Sequence, residues 1–211
     1  MVKQSNFIAY IFLLLTVTFW AGNFIVGKFA SLYNIPPFSL NFYRWFFAWL
    51  ILAPFTLPEI IRKKDYIIKN YKLFILLGVT SITIFNSIVY YSLNFTQVIS
   101  GVLMISTIPV MIMFFSSILK IEKTNIFQII GVILSFTGVI VIITKANFEI
   151  LKNLDFNKGD VMMVVAMFSW ALYSSLLKKQ KYEISQISLL QVLITFGLIF
   201  LIPVYFIEYQ I

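Results

Sequence analysis

The chain has 211 residues, of which 61% are hydrophobic and only 11% are charged, and its mean hydropathy is +0.95. A soluble domain carries about 25% charged residues, so this composition excludes an ordinary soluble protein. Cysteine and histidine are absent, which removes disulfides, thiol nucleophiles, imidazole bases and the usual zinc and haem ligands. We therefore expect no metal, no cofactor and no enzyme activity.

The net charge of +8 does not indicate a nucleic-acid partner. Its basic residues lie in short segments between apolar blocks, a pattern that orients a chain in a membrane and does not form a basic groove. Blocks of about 20 apolar residues match a bilayer core of roughly 30 Å, and in lipid each block must be a helix. We predict an all-α membrane protein with about seven transmembrane helices. The predicted spans are 7–27, 38–57, 72–93, 98–119, 125–145, 160–178 and 186–207.

The loop charges predict the orientation of these spans. With the N-terminus in the cytoplasm, eleven Lys and Arg residues fall on the cytoplasmic side and four on the other side. The remaining basic residue, Arg44, lies within the second span. The high content of Ile, Lys, Asn and Phe is typical of an AT-rich bacterial genome. We expect a multi-pass protein of the bacterial inner membrane with a cytoplasmic N-terminus.

The sequence resembles itself at an offset that drifts from 150 to 149 residues. Five spans separate the copies, so the second copy enters the membrane in the opposite sense. Inverted repeats of this kind are typical of secondary transporters, whose substrates bind between the repeats. Chance similarity between apolar helices is the alternative. The recurring pairs are Phe19–Ala21 with Ser169–Ala171, Phe38–Leu40 with Ile187–Leu189, and Pro54 with Pro203.

An ordered series of short motifs resembles the EamA-type branch of the drug/metabolite transporter superfamily over about residues 10–207. No single motif is specific, and the resemblance depends on their order and spacing. The motifs are Phe19–Phe24, Pro36-Pro37 followed by Arg44, Tyr90–Thr96, Thr107–Pro109, Glu122 within Lys120–Lys123, Gln128–Gly131 with Gly138-Val139, and Gly159-Asp160 with Trp170–Tyr173.

The resemblance implies ten helices in two five-helix repeats, in inverted orientation. Residues 1–150 would form the first repeat and residues 157–211 the first two helices of the second, so we expect a truncated second repeat and an incomplete copy. The implied function is a secondary transporter that exports small metabolites, amino acids or drug-like molecules by alternating access. The alternative is a degenerate, non-transporting membrane protein that assembles through its exposed helix faces, and a homo-oligomer is compatible with both.

Arg44 is the sharpest candidate for contact with a small-molecule substrate. A guanidinium within a span is costly and tends to face protein or water, and it would suit an anionic or carboxylate-bearing substrate. Snorkelling to the membrane surface, or structural pairing, is the alternative. Trp20 and Trp170 are related by the repeat and lie well inside their spans. They either line a cavity or pack between helices, whereas Trp45 and Trp49 are interpreted as packing or lipid contacts.

Several other polar or helix-breaking residues are further candidates. Amides in apolar helices form interhelical hydrogen bonds or contact a substrate. Pro109 is expected to kink or open the fourth span, either beside a cavity or as a static kink, and Thr107 lies near enough to reach the freed carbonyls or a ligand. The substrate-site candidates are Asn23, Asn86, Tyr90, Thr107, Pro109 and Tyr173, in addition to Arg44 and the two tryptophans.

Other residues have predicted structural roles. Asp160 is expected to cap the sixth span, with pairing to Arg44 as a second option. Gly131, Ser135 and Gly138 form a stripe of small residues that predicts close helix packing. No carboxylate lies deep in a predicted span, so the sequence does not predict a proton carrier.

Overall fold

The computed structural model describes residues 2–121, 125–144, 147, 149, 152 and 157–210. This part of the chain contains helices and short connections but no β-strand, which confirms the predicted all-α class. The elements are α1 (Val2–Leu32), α2 (Pro37–Arg62), α3 (Lys64–Lys69), α4 (Tyr71–Gly78), a π-helix (Val79–Asn86), α5 (Ser87–Ser92), α6 (Val98–Ile105), α7 (Ile108–Ile118), α8 (Ile126–Thr144), α9 (Lys158–Lys178) and α10 (Gln186–Tyr209).

Within the described residues, five helical segments are long and apolar enough to cross a membrane. They coincide with the first, second, third, sixth and seventh predicted spans, and the other two predicted spans contain shorter apolar helices. Large apolar side chains along α1 are exposed, as expected for a surface that faces lipid. The chain is therefore a multi-pass membrane protein. The five segments are Phe7–Leu32, Pro37–Arg62, Tyr71–Ser92, Lys158–Lys178 and Gln186–Tyr209.

The fourth predicted span is interrupted at Ser106 and Thr107, where α6 ends and α7 begins. Pro109 lies in the first turn of α7, where its missing N–H interrupts no hydrogen bond inside that helix. The Thr107 hydroxyl donates to the carbonyl of Met104 at 2.6 Å. The helix is thus opened here, as the proline predicts, and Thr107 reaches a carbonyl at the break.

The third span contains the π-helix Val79–Asn86 between two α-helical segments. A π-helix shifts backbone hydrogen bonding by one residue, and side chains of other helices contact its carbonyl groups. The amide nitrogen of Asn41 donates to the carbonyl of Ile82 at 2.9 Å, and the hydroxyl of Ser169 donates to the carbonyl of Thr80 at 2.8 Å. This span is therefore held by hydrogen bonds from α2 and α9.

Helix α10 lies next to α2, α4 and the π-helix, and α9 lies next to α5, α7 and the π-helix. The closest approach occurs at two glycines. A Cβ atom at Gly78 would lie 2.6 Å from the carbonyl oxygen of Leu193, and one at Gly197 would lie 2.6 Å from the Cβ of Ile82. Only glycine allows α10 to approach the third span this closely.

The start of α9 is fixed by a capping box. The Asn157 side chain accepts from the backbone N–H of Asp160, while the Asp160 carboxylate accepts from the backbone N–H of Asn157. The hydroxyl of Thr96 also donates to Asp160. The predicted capping role of Asp160 is confirmed, and its carboxylate binds Thr96 rather than Arg44.

The predicted close packing of the small-residue stripe on α8 is wrong for the described part of the chain. A Cβ atom at Gly131 or Gly138 would have nothing within 4 Å, and Ser135 is exposed. Small residues permit a close approach but do not supply a partner helix, and α8 contacts the other described helices little beyond α6. The loop residue Glu122 lies outside the described residues.

Candidate functional site

A cavity of about 300 Å³ lies between α1, α2, the π-helix, α9 and α10. This volume is at the lower end of the range for small-molecule sites. In helix bundles such sites commonly lie between the helices. The lining residues come from segments far apart in the sequence. They are Phe19, Trp20, Asn23, Arg44, Trp45, Ser81, Ile82, Phe85, Asn86, Trp170, Tyr173, Leu190 and Leu193.

The structure brings most of the predicted site residues to this cavity. Tyr90 lies directly behind the lining, where its phenol donates to Asn23 Oδ1 at 2.5 Å. Thr107 and Pro109 are not among the lining residues. Contact of any of these side chains with a substrate stays a prediction. The six predicted residues that line the cavity are Trp20, Asn23, Arg44, Asn86, Trp170 and Tyr173.

The Arg44 guanidinium is held inside the bundle by two amides. Its Nη1 donates to Asn23 Oδ1 at 2.5 Å, and its Nη2 donates to Asn86 Oδ1 at 2.6 Å. The side chain therefore does not snorkel, and the interhelical hydrogen bonding predicted for Asn23 and Asn86 is confirmed. No carboxylate of the described residues lies within salt-bridge distance of Arg44.

The orientation of the guanidinium follows from the elements that carry its partners. Asn86 ends the π-helix, and its amide nitrogen donates to the carbonyl of Ser81 at 2.7 Å, which turns Oδ1 toward Arg44. Tyr90 follows one turn later, and the guanidinium carbon lies 5.3 Å from the centre of its ring. Asn23 on α1 accepts from both Arg44 and Tyr90. The network joins α1, α2 and the third span.

An aromatic wall faces this polar group. The ring of Trp170 lies at its centre, with centroid distances of 5.8 Å to Trp20, 4.6 Å to Phe85 and 5.0 Å to Tyr173. The two tryptophans that the sequence repeat relates are therefore in contact. Aromatic walls of this kind bind the apolar part of a ligand.

Trp45 is the main lining residue that the sequence analysis missed. It was interpreted as a packing or lipid contact, but it lines the cavity, and the guanidinium carbon of Arg44 lies 4.9 Å from its ring centre. Trp49, one turn further on, donates through Nε1 to Thr195 Oγ1 at 2.9 Å and is a packing residue, as predicted. Both are tryptophans on one helix, so composition alone cannot distinguish them.

The π-helix supplies further lining residues that carry no clear sequence signal. Ser81, Ile82 and Phe85 all face the cavity, as does Asn86. These four positions share one face of the helix, but the segment also contains Thr80 and Thr83, and only Asn86 stood out in the sequence as a site candidate. The lining combines one fixed cation, amides and aromatic rings, and its described residues include no carboxylate. This arrangement suits binding of an anionic group that carries an apolar body.

Comparisons with known proteins agree with this architecture. The profile of the EamA-like transporter family matches residues 7–144. A protein of Archaeoglobus fulgidus named as an uncharacterized transporter is 29% identical over 197 residues, or 92% of this chain. The uncharacterized transporter YyaM of Bacillus subtilis is 28% identical over 167 residues, or 79% of this chain. An uncharacterized transporter of Clostridium kluyveri is 26% identical over 176 residues.

These matches cover 65%, 54% and 56% of the length of the three relatives, so the chain spans between half and two thirds of them. No solved structure matches the chain significantly.

Proposed function

Because the chain belongs to the EamA-like transporter family, we propose that it is a secondary transporter of small organic molecules that carry a carboxylate or similar anionic group. Membership of the family supports a role as a membrane transporter of small molecules rather than as an enzyme. The substrate class is the further step. It covers acidic small metabolites, amino acids and drug-like molecules with an aromatic or apolar body.

The observation that carries the substrate class is the state of Arg44. Its guanidinium lines the cavity, is held by two neutral amides, and forms no salt bridge with a described carboxylate. A cation in such a setting lacks a counter-charge, and a carboxylate supplies one together with hydrogen-bond acceptors. The rings of Trp170 and Phe85 would hold the body of the same molecule.

The transport cycle is alternating access in the export direction. Alternating access is supported by the inverted repeat predicted for residues 1–150 and 157–211, and by a cavity between helices of both segments. The N-terminus lies in the cytoplasm, which the distribution of basic residues supports, and the membrane is a bacterial inner membrane, which the content of Ile, Lys, Asn and Phe supports. Assembly as a homo-oligomer is compatible with the exposed apolar faces of α1 and α8.

The test measures ligand binding to the purified chain in lipid nanodiscs, with tryptophan fluorescence as the signal. Trp20 and Trp170 lie in the cavity and report its occupation. Aromatic carboxylates, each paired with its uncharged amide, are titrated into the wild type and into Arg44→Gln. Arg62→Gln is the control, because Arg62 lies at the end of α2 and does not line the cavity. We expect the wild type and the control to prefer the carboxylate by about tenfold or more, the effect of one charge-assisted hydrogen bond.

Arg44→Gln should lose this preference while retaining weak binding of both compounds through the aromatic wall. Equal affinity of the wild type for acid and amide would contradict the proposed substrate class. Counterflow of a bound carboxylate in proteoliposomes then distinguishes transport from binding alone.

A further inference from the structure

Helices α2 and α10 are joined at both ends by carboxylates. At one end, near the loop 179–185, Glu59 of α2 accepts from the backbone N–H of Ser185 at 2.9 Å and from its hydroxyl at 2.5 Å. The hydroxyl of Ser188 donates to the same carboxylate at 2.6 Å. Glu59 therefore binds the start of α10. We call this group of three residues the first clamp.

The opposite end, near the loop 33–36, has the reciprocal arrangement. Glu208 at the end of α10 accepts from the backbone N–H of Phe38 at 3.0 Å and from that of Ser39 at 2.6 Å. The hydroxyl of Ser39 also donates to Glu208, at 2.9 Å. Here α10 supplies the carboxylate and α2 supplies the helix start. We call this group the second clamp.

The two clamps are related by the internal repeat. The step from Glu59 to Glu208 is 149 positions, and so is the step from Ser39 to Ser188. Each carboxylate accepts several hydrogen bonds at the N-terminus of the partner helix, where the helix dipole also favours a negative charge. Helices α2 and α10 thus hold each other by the same chemistry at opposite ends of the bundle.

Between the clamps, Trp49 links the same two helices near their middle. Its Nε1 donates to Thr195 Oγ1 at 2.9 Å, and its backbone carbonyl accepts from the Gln191 side chain at 3.2 Å. Trp49 lies ten residues from Ser39 and ten residues from Glu59. Rotation about this contact would separate the helices at one end while bringing them together at the other.

From this geometry, and resting on the proposed transport function, we propose that Glu59 and Glu208 are positioning residues that close opposite ends of the cavity. Helix α2 carries Arg44 and Trp45, while α10 carries Leu190 and Leu193, so the two helices form facing parts of the lining. Release of the first clamp opens the cavity at the 179–185 end. Release of the second opens it at the 33–36 end. The relative strength of the clamps sets which side of the membrane the cavity faces.

The test measures the side from which the cavity can be reached, independently of any substrate. The chain has no cysteine, so Ser81→Cys introduces a single thiol at a buried lining residue. Glu59→Gln and Glu208→Gln are added separately to this variant. Labelling with a membrane-impermeant maleimide is measured in right-side-out and inside-out vesicles, and is normalised to labelling after denaturation in detergent.

We expect each glutamine variant to label roughly tenfold faster from one side only, and from opposite sides in the two variants, since each loses one charged hydrogen-bond acceptor. Glu183→Gln is the matched control, because Glu183 lies near Lys63 Nζ, 3.8 Å away, at the same end as the first clamp but outside it. It should label like the parent. Faster labelling from the same side in both variants, or labelling no faster than in the control, would overturn the proposal.

Ser39→Ala and Ser188→Ala serve the same purpose if a glutamine variant does not insert in the membrane. Each removes one hydroxyl donor and leaves the carboxylate in place. Ser188→Ala should therefore be labelled from the same side as Glu59→Gln, and Ser39→Ala from the same side as Glu208→Gln, with a smaller increase in labelling rate. Opposite-sided labelling in a chain that binds no carboxylate would overturn the proposed substrate class and leave the clamps intact. Binding of carboxylates without sided labelling would overturn the role of the clamps and leave the proposed substrate class intact.

Discussion

At the scale of single residues, Asn23 holds two side chains of other helices, because its Oδ1 accepts from both Arg44 and Tyr90. Asn23→Leu would leave the guanidinium with one amide partner. An unsatisfied donor of this kind costs about 1–3 kcal/mol. For a chain of this size each kcal/mol lowers the melting temperature by roughly 2–4 °C. Thermal unfolding in detergent measures the change.

The control for this variant is Asn94→Leu. The Asn94 side chain is exposed and donates locally to the carbonyl of Tyr91 at 3.1 Å. Its replacement should leave the melting temperature nearly unchanged. An Asn23→Leu variant as stable as this control would mean that the amide does not contribute to holding Arg44.

The sequence predicts the polar part of the cavity better than its aromatic part. Arg44, Asn23 and Asn86 stand out because polar groups in apolar helices need partners, so they are expected to meet inside the bundle. Trp45 carries no such signal. An aromatic ring is as stable against lipid as against protein, and only the arrangement of the neighbouring helices decides which it faces.

At the scale of elements, the contact between α10 and the third span depends on two glycines. Gly78→Ala would place a Cβ atom 2.6 Å from a backbone carbonyl, and Gly197→Ala would place one 2.6 Å from the Cβ of Ile82. Neither neighbour is the flexible end of a side chain, so the helices must separate. We expect each variant to be destabilised by about 1–3 kcal/mol, measured as unfolding in detergent.

Gly131→Ala is the matched control for both glycine variants, because a Cβ atom there would have nothing within 4 Å. The added methyl should be neutral, or should stabilise α8 by roughly 0.5–1 kcal/mol through helix propensity. If Gly78→Ala and Gly197→Ala behaved like Gly131→Ala, the close approach of α10 to the third span would not be a requirement of the fold.

Helix positions follow from the sequence, but the π-helix does not. Apolar blocks and residues such as Pro109 and Asp160 fix the ends of helices through local chemistry. The π-helix is contacted by donors that are distant in the chain, Asn41 on α2 and Ser169 on α9. Local periodicity cannot report a hydrogen bond that forms only when these helices assemble.

At the scale of the whole molecule, composition and the length of the apolar blocks were sufficient for the fold class, since 11% charged residues cannot cover a water-facing surface and such blocks form helices in lipid. The repeat also pointed to residues that meet in space, because Trp20 and Trp170 are in contact. It did not reveal the glutamate clamps. Carboxylates near the ends of spans are ordinary in sequence, and their role becomes visible only when α2 and α10 lie antiparallel.

The orientation of the molecule is testable with two exposed loop positions in the cysteine-free chain. Tyr33 follows α1, and Lys181 lies between α9 and α10. Because eleven basic residues fall on the side of Lys181 and four on the side of Tyr33, we expect the first side to be cytoplasmic. A membrane-impermeant maleimide should therefore label Tyr33→Cys in intact cells and Lys181→Cys only after permeabilisation. Wild-type chain is the unlabelled control, and labelling of Lys181→Cys in intact cells would reverse the assignment of both clamps to membrane sides.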